Sequence, residues 1–285
     1  MLNAKLTLKS QSQTTSLIKI SDQVTIGGSD IVIIGGPCAV ENLEQMEKVA
    51  QALIPASVQG LRGGIYKPRT SPYSFQGLGK EGLDIFAAIK RRWHIPVVSE
   101  VMAASQIEEM ATCVDMFQVG SRNMQNFDLL KALGEAGKPV LLKRGLAATL
   151  EEFVFAAEYI LSHGNPQVVF CERGIRSFDN YTRNVLDLGT VAALKQLSHL
   201  PVIVDPSHAA GRRELILPLA KAAIACGADG LIVECHPVPE KSVSDASQAL
   251  SLEEMVSLIN SIKPIATAVG RTSSDSKPAH ALSLV

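Results

Sequence analysis

The segment Leu61–Ser71, LRGGIYKPRTS, combines cationic and hydroxyl side chains with residues that shape a tight turn. Its polar side chains are those of Arg62, Lys67, Arg69, Thr70 and Ser71. Guanidinium groups match phosphate or carboxylate as a rigid fork of donors, and an ammonium adds a compact charge. The two glycines would let the backbone approach a ligand, and Pro68 would stiffen the turn. The segment therefore predicts a site for a small, multiply anionic substrate.

A second group of residues carries side chains that bind transition metals. Its members end or follow apolar runs, except the last, which lies in the loop beyond: Cys38 in GGPCAVEN, His208 in DPSHAAGRR, Glu234 in IVECHP and Asp245 in SVSDA. A thiolate, an imidazole and two carboxylates suit Mn, Fe, Co or Zn better than Mg or Ca. Each residue alone has an ordinary interpretation as packing, turn or solvated side chain. Their shared placement predicts a catalytic metal site.

Two neighbours of Glu234 are weaker candidates for this metal site. Side chains alternate along a strand, so Cys235 should point away from the site. His236 should face the site without binding the metal directly. The sequence therefore predicts four ligands and no more.

Further charged residues stand where other apolar runs end: Glu100, Arg122, Lys143, Arg173 and Arg212. One basic residue in such a place is ordinary surface, but several on one face would concentrate a positive potential. Lys143 ends an apolar run and should be partly desolvated, so it pairs with an anion or has a lowered pKa. Glu100 would polarise a water or pair with a cation. Arg144, Arg176 and Arg213 have solvated or supporting roles as equal alternatives.

Eight short apolar runs alternate with stretches of helical periodicity. The runs cover 31–36, 60–63, 96–100, 115–119, 139–143, 167–171, 201–205 and 230–234. The helical stretches cover 43–53, 81–93, 104–113, 127–136, 150–163, 185–197, 214–226 and 252–262. Most runs lack polar alternation, as expected for parallel strands buried on both faces. Eight such units predict an α/β fold, the (β/α)8 TIM barrel, with the functional residues at the carboxyl ends of the strands.

A doubly wound sheet is the main alternative to the barrel. That fold normally has a glycine-rich nucleotide turn after its first strand, and Gly35-Gly36-Pro37-Cys38 is not that motif. We expect residues 1–30 to form a β arm or hairpin and residues 31–265 to form the catalytic barrel. Residues 266–285, rich in serine and alanine, are expected to form a flexible tail.

Composition narrows the classes of function. The chain has 285 residues, of which 46% are hydrophobic, so a large core is possible. The net charge of −1 does not favour nucleic acid or an anionic membrane as a partner. No apolar run is long enough to cross a bilayer, and no secretory leader is apparent. Five scattered cysteines argue against a disulfide framework, so we expect a cytoplasmic protein, or a plastid protein after transit-peptide removal.

Several long motifs resemble one family of enzymes, the 3-deoxy-D-arabino-heptulosonate 7-phosphate (DAHP) synthases, and its short type Iβ form in particular. The motifs are GPCAVEN, LRGGIYKPRTSPYSFQGLG, VVSEVM, FQVGSRNMQN, LLKRG, CERGIR, DPSHAAGRR and IVECHPVPEKSVSDA. The resemblance extends from Ile31 to Ile265. It implies a TIM barrel transferase that condenses phosphoenolpyruvate with erythrose 4-phosphate, the first step of the shikimate pathway and of aromatic amino acid biosynthesis.

The same resemblance implies roles for individual residues. The metal ligands would be Cys38, His208, Glu234 and Asp245. Phosphoenolpyruvate would be held by Arg62, Lys67, Arg122, Lys143 and Arg173. The aldose phosphate would be held by Arg69 and Thr70, with help from Ser71 and Arg212. Asp205 would orient its neighbours, and the catalytic groups would be Lys67, Lys143, His208 and Cys38. Lys67 and a metal-bound water both remain candidates for the proton donor.

Two alternatives remain at this point. The sister enzyme 3-deoxy-manno-octulosonate 8-phosphate (KDO8P) synthase shares the barrel, but its loop reads KANRSS where this chain has KPRTS. A sugar-phosphate-binding barrel without catalysis would not need the metal ligands. The family likeness also implies a homodimer or homotetramer. No fused regulatory domain is apparent in the sequence, so feedback inhibition would need a site at an oligomer interface.

Overall fold

Eight parallel strands close into a barrel in the computed structural model, which describes residues 2–10, 13–69 and 71–272. The barrel strands are β3 (Val32–Gly36), β4 (Gly60–Arg62), β5 (Val97–Val101), β6 (Met116–Val119), β7 (Val140–Lys143), β8 (Val168–Glu172), β9 (Val202–Val204) and β10 (Gly230–Glu234). They follow one another around the barrel in chain order, and β10 closes on β3. The predicted (β/α)8 fold is confirmed.

Helices follow the strands and cover the outside of the barrel. They are α1 (Leu43–Leu53), α2 (Lys80–Trp93), α3 (Ile107–Ala111), α4 (Phe127–Ala136), α5 (Leu150–Ser162), α6 (Leu188–Leu197), α7 (Pro206–Ala210), α8 (Arg213–Ala225) and α9 (Leu252–Ala268). Local sequence fixes several starts: Thr149 with Glu152, and Ser251 with Glu254, form reciprocal capping boxes. Seven of the eight predicted helices agree with these bounds to within a few residues, whereas α9 ends six residues later than predicted and α7 was not predicted.

The barrel strands are buried on both faces, which explains why they lack polar alternation. One face of each strand packs in the large outer core against the helices. The opposite faces form a separate inner cluster that includes Val98, Leu141 and Ile203. All eight strands point the same way, so their carboxyl-terminal residues surround one opening of the barrel, here called the mouth.

The N-terminal arm closes the opposite end of the barrel, here called the bottom. Strands β1 (Ile18–Lys19) and β2 (Thr25–Ile26) pair antiparallel as a small hairpin. The buried side chains of Ile18, Ile20, Val24 and Ile26 belong to the same apolar cluster as the barrel interior. The predicted N-terminal β extension is therefore present, and it fills the bottom.

The predicted boundary at residue 265 falls inside a helix. Helix α9 continues to Ala268 although it contains Pro264. A proline removes one backbone donor, but the carbonyl it would leave unpaired, at Asn260, belongs to an exposed residue that water can reach. Arg271 then donates to the carbonyls of Gly28 and Ser29. Residues 266–272 are thus part of the folded barrel, and the rest of the predicted tail lies outside the described residues.

Candidate metal centre and anion-binding cavity

The four predicted metal ligands meet at the mouth of the barrel. Cys38 follows β3, His208 lies in the short helix after β9, Glu234 ends β10 and Asp245 lies in the loop before α9. One ligand atom from each lies within 4.8 Å of the other three. Strand ends that are adjacent in the closed barrel thus bring together residues up to 207 positions apart.

The ligand atoms are close enough to share one ion. Cys38 Sγ lies 3.1 Å from Asp245 Oδ2 and 4.0 Å from His208 Nε2. His208 Nε2 lies 3.7 Å from Glu234 Oε2 and 3.8 Å from Asp245 Oδ2. Two ligands about 2 Å from a tetrahedral ion are separated by similar distances.

The protonation preferences of this cluster fit a divalent cation. Within the described residues, Glu234 Oε1 is buried without a hydrogen-bond partner, so it lacks compensation for its lost hydration. Burial lowers the pKa of His208, which keeps its imidazole neutral and able to bind a metal. Burial and Glu234 raise the pKa of Cys38 to about 11, so the thiol needs a cation to become a thiolate.

Asp205 links the predicted metal ligand His208 to Lys143. Its Oδ2 accepts from His208 Nδ1 at 2.8 Å, which leaves Nε2 facing the other ligands. The same oxygen forms a close ion pair with the Lys143 ammonium. Burial alone would raise the pKa of Asp205, but His208 and Lys143 hold it well below its usual range. This carboxylate therefore fixes the tautomer of His208 and the position of Lys143 together.

A cavity of about 570 Å³ opens beside the ligand cluster. Cys38, His208 and Asp245 form part of its wall, whereas Glu234 lies buried behind them. The wall contains eight basic side chains from the described residues: Arg62, Lys67, Arg69, Arg122, Lys143, Arg173, Arg176 and Arg183. In a chain of net charge −1, this is a local concentration of positive charge. The predicted convergence of cations on one face is present.

Arg62 and Lys67 lie buried beside Cys38. Lys67 Nζ donates to the carbonyl oxygen and to the Sγ of Cys38, both at 2.9 Å. Burial would lower the pKa of each cation, but nearby anionic groups outweigh it and the net shift is upward. Two guanidinium nitrogens of Arg62, Nε and Nη1, are buried and unpaired within the described part of the chain. A bound anion would satisfy them.

The glycines of the LRGGIYKPRTS segment serve a different purpose from the predicted approach of a ligand. A Cβ on Gly63 would lie 2.6 Å from Val40 Cγ2, and one on Gly64 would lie 2.6 Å from Lys67 Cδ. Both glycines make room for the protein's own side chains. Gly64 in particular lets Lys67 fold back over Cys38.

The remaining predicted residues divide between the cavity wall and other places. Arg69, Ser71, Glu100, Arg122 and Arg173 line the cavity, whereas Thr70 lies outside the described residues. Gln118 Nε2 lies 3.5 Å from Glu100 Oε2. Arg173 donates from Nη2 to the backbone carbonyl of His208 at 3.1 Å. The described residues of this group therefore border one cavity, and their individual roles stay predictions.

Arg212 is a predicted substrate-binding residue that the structure places outside the cavity. Its guanidinium stacks 4.2 Å from the ring centre of Tyr181 and donates to the Tyr181 carbonyl at 2.7 Å. A further contact joins Arg212 to Glu214. Arg212 lies in the turn between α7 and α8, which carries it to the outer rim. The prediction was wrong because Arg212 is close to His208 in sequence but not in the cavity wall.

Comparison with known proteins identifies the family. The sequence profile described as the DAHP synthetase I family matches residues 9–269. This chain belongs to the DAHP synthetase I family.

Individual relatives agree with this family assignment. Phospho-2-dehydro-3-deoxyheptonate aldolase of Thermotoga maritima is 48% identical over 255 residues, covering 90% of this chain and 75% of the relative. A crystal structure of DAHP synthase from the same organism has a TM-score of 0.92 and 44% identity, covering 96% of this chain and 80% of that chain. A 2-dehydro-3-deoxyphosphooctonate aldolase of Desulfosudis oleivorans is 30% identical, covering 88% of this chain and 96% of the relative. The family and enzyme class predicted from the motifs are confirmed, and the octulosonate enzymes are more distant.

Sequence reasoning missed two residues that support the ligands in this member of the family. Arg183, in the loop before α6, donates to Asp245 Oδ1 at 3.0 Å and to Gln248 Oε1 at 3.1 Å. Gln248 in turn donates to Glu234 Oε2 at 2.5 Å. One guanidinium thus connects both carboxylate ligands, and no local sequence pattern indicates it because the partners lie 62 and 65 residues away.

Three further arginines, for which the sequence offers equal alternatives, also have defined places. Arg144 is buried in ion pairs with Glu172 and Asp187 behind the cavity. Arg213 donates to the Ala246 carbonyl, and Arg176 lines the cavity. Cys235 packs in the outer apolar core, as alternation along β10 predicts.

His236 supports the loop that carries Asp245 rather than the metal site itself. Its Nδ1 accepts from the Val238 backbone, so Nε2 carries the proton and donates to Glu41 at 3.2 Å.

The described helices include none that could cross a membrane.

Proposed function

We propose that this chain is a DAHP synthase that condenses phosphoenolpyruvate with erythrose 4-phosphate and water, giving DAHP and inorganic phosphate. The observation that carries the proposal is the four-ligand cluster in the wall of a cation-lined cavity. Both substrates carry phosphate, and one also carries a carboxylate, so their combined charge suits the eight basic side chains. Membership of the DAHP synthetase I family supports the same reaction, which opens the shikimate pathway.

We assign phosphoenolpyruvate to the part of the cavity around Lys143. The predicted contacts are Arg62, Lys67, Arg122, Lys143 and Arg173. Arg122, Lys143 and Arg173 follow or end the neighbouring strands β6, β7 and β8, so their charges converge on one volume. The unpaired nitrogens of Arg62 supply directed donors from the side nearest Cys38. A phosphate and a carboxylate bound there would be fixed in orientation by several charge-assisted hydrogen bonds.

Erythrose 4-phosphate is assigned to Arg69 and Ser71, which line the cavity on the loop after β4. Thr70 stays a prediction for this subsite. A divalent ion bound by the four ligands would act as a Lewis acid on the aldehyde carbonyl. Holding both substrates beside the ligand set turns an encounter of two dilute molecules into a reaction within one complex.

The reaction forms one carbon–carbon bond and releases phosphate. C3 of phosphoenolpyruvate bonds to the aldehyde carbon, water adds at C2, and the C2–oxygen bond to phosphate then breaks. Glu100, buried at the cavity wall, is assigned to orient the water. Lys143 and the cavity arginines stabilise the negative charge on the leaving phosphate. Lys67 donates to Cys38 Sγ, which holds its ammonium beside the ligand cluster, and Lys67 and a metal-bound water both remain candidates for the proton donor.

The finer assignments of metal, compartment and assembly are also proposals. Mn, Fe, Co or Zn suits the mixed ligand set better than a metal that prefers oxygen ligands alone. Five free cysteines within the described residues are consistent with the cytoplasm. A homodimer or homotetramer follows from the family likeness and can be measured by sedimentation.

The proposal is tested by phosphate release from phosphoenolpyruvate, with erythrose 4-phosphate or arabinose 5-phosphate as acceptor. Each acceptor is assayed with Mn²⁺ and with EDTA. We expect turnover with the four-carbon sugar and its loss in EDTA, while circular dichroism shows that the chain stays folded. Preference for the five-carbon sugar would instead indicate a KDO8P synthase. No turnover in a folded, metal-loaded sample would indicate a binding protein.

A matched pair of arginine variants tests whether the cavity holds phosphoenolpyruvate. Arg122→Ala removes a cavity charge, and we expect the KM for phosphoenolpyruvate to rise by about tenfold or more, as for loss of a charge-assisted bond. Arg91→Ala removes an exposed charge on α2, away from the cavity, and should leave that KM unchanged. Equal KM values for both variants would contradict the assigned subsite.

A further inference from the structure

A chain of hydrogen bonds joins a cavity arginine to one of the metal ligands. Arg69 Nη1 donates to Ser244 Oγ at 2.9 Å, and the Ser244 hydroxyl lies 3.3 Å from Asp245 Oδ2. A hydroxyl can accept one bond and donate another, so the direction of the chain runs from the guanidinium to the carboxylate. Ser244 is buried, which shields both bonds from water.

The guanidinium nitrogens of Arg69 have different surroundings: some donate to protein groups and one is left for the cavity. Its Nε donates to the Phe75 carbonyl at 2.8 Å, and Nη1 is used by Ser244. Nη2 is buried and has no partner among the residues described. Since Arg69 also lines the cavity, an anion there would meet a guanidinium with one donor group still available.

The carboxylate oxygen at the other end of the chain is the one that faces the ligand cluster. Asp245 Oδ2 lies 3.1 Å from Cys38 Sγ and 3.8 Å from His208 Nε2. The Asp245 backbone has φ +57°, a left-handed conformation that aspartate tolerates at a cost. Such a residue needs contacts from its surroundings to stay in place, and Ser244 supplies one directly to the metal-facing oxygen.

We propose that the Arg69–Ser244–Asp245 chain couples phosphate binding at Arg69 to metal binding at the four ligands, so that each tightens the other. A phosphate group on Arg69 restricts the guanidinium, which fixes the Ser244 hydroxyl and holds Asp245 Oδ2 in the ligand position. The metal restricts the same chain from its other end. Coupling of this kind is reciprocal, because whichever of the phosphate and the metal ion binds first orders the hydrogen-bond chain, and the second then binds without that entropy loss. The inference rests on the proposed function for the identity of the two ligands.

The coupling is measured by calorimetric titration of Mn²⁺ into the full chain, with and without saturating erythrose 4-phosphate. Inorganic phosphate serves as a second probe. The quantity compared is the ratio of the two metal dissociation constants, because through-space neutralisation of Arg69 contributes to every variant. For the wild-type chain we expect erythrose 4-phosphate to tighten Mn²⁺ binding by about fivefold or more.

Three variants of Ser244 and one matched control test whether the hydroxyl carries the coupling. In Ser244→Ala the ratio should fall to about twofold or less, since coupling mutations remove a large part of the interaction. Ser244→Cys keeps the side-chain size but bonds weakly, so it should lose the coupling with less disturbance of packing. Ser244→Thr keeps the hydroxyl and should restore the ratio. Ser247→Ala removes an exposed hydroxyl from the same loop and should leave the ratio at the wild-type value.

The outcomes separate this inference from the proposed function. A wild-type ratio near one, or the same ratio in wild type, Ser244→Ala and Ser244→Cys, would overturn the coupling. Phosphate release by the same wild-type sample would then still support the proposed synthase. A ratio that depends on Ser244 in a chain without turnover would support the coupling and overturn the proposed reaction.

Discussion

The two ends of the barrel are built from the same eight strands but are finished in opposite ways. At the bottom, Ile18, Ile20, Val24 and Ile26 complete the apolar core. At the mouth, eight basic side chains surround a cavity, and polar atoms of Arg62 and Glu234 are buried without partners in the part of the chain described. Buried polar atoms without partners cost stability, and the bottom contributes the packing that offsets this cost. The bottom of the barrel therefore contributes mainly to folding stability, and the mouth contains the groups proposed to bind the metal and the substrates.

The largest expected effect comes from removing a metal ligand at the mouth. His208→Ala should lower phosphate release by roughly a thousandfold or more, because a bound metal ion supplies several kcal/mol of transition-state stabilisation. The metal-free variant should still unfold in one cooperative transition, since Lys143 still pairs with Asp205 and the apolar core is intact. Activity assays and thermal melts in EDTA measure both. Unfolding of the metal-free wild-type chain would show that the mouth is a structural site instead.

A substitution that creates a cavity at the bottom should lower stability and leave substrate binding unchanged, the opposite of the effect at the mouth. Ile26→Ala removes a fully buried side chain and should lower the free energy of unfolding by about 2–5 kcal/mol. The KM for phosphoenolpyruvate, measured well below the melting temperature, should stay at its wild-type value. Urea unfolding and steady-state kinetics on one preparation test this. A raised KM in a folded variant would break the division between the two ends.

Arg183 tests whether residues at the mouth support metal binding indirectly, because it connects Asp245 and Glu234 without being a predicted ligand itself. Arg183→Ala should weaken Mn²⁺ binding by about 10- to 100-fold, as is typical for residues that hold metal ligands. Arg176→Ala, which also removes an arginine from the cavity wall, is the matched control and should not weaken Mn²⁺ binding, because losing a nearby positive charge by itself favours a bound cation. Calorimetry measures both affinities. Equal affinities in the two variants would show that Arg183 acts only through its charge.

The smallest expected effect concerns pH and the N-terminal arm. Glu158 on α5 accepts bonds from the backbone of Lys5, Leu6 and Thr7 and from the Thr7 hydroxyl. Burial would raise the pKa of Glu158, but these bonds outweigh it and lower the pKa below its ordinary value of 4.5. The stabilisation is thus fully present above about pH 4.5 and is lost as pH falls through the lower folded-state pKa.

Hydrogen exchange of the amides of residues 5–7 measures this contribution of Glu158. Their protection should be high at neutral pH and should fall in acid, whereas Glu158→Gln should reduce it at all pH values. Turnover at neutral pH should not change in that variant. An equal acid dependence in Glu158→Gln would show that another group holds the arm.

The fold and most of the site could be predicted because they depend on local patterns. Apolar runs ended by Lys143 or Glu234 mark buried strands, and a barrel brings all such ends to one mouth. Arg183 could not be predicted, because its partner Asp245 lies 62 residues away. Arg212 was misplaced because nothing in the sequence shows that it stacks on Tyr181 at the rim.

The most direct test of the account is anomalous diffraction at the manganese edge from a crystal containing Mn²⁺ and phosphoenolpyruvate. We predict one strong peak within direct bonding distance of Cys38 Sγ, His208 Nε2 and oxygens of Glu234 and Asp245. Phosphoenolpyruvate should lie beside it in the cavity, in contact with Lys143. A peak elsewhere, or phosphoenolpyruvate bound away from the cavity, would contradict the assignment of chemistry to the mouth.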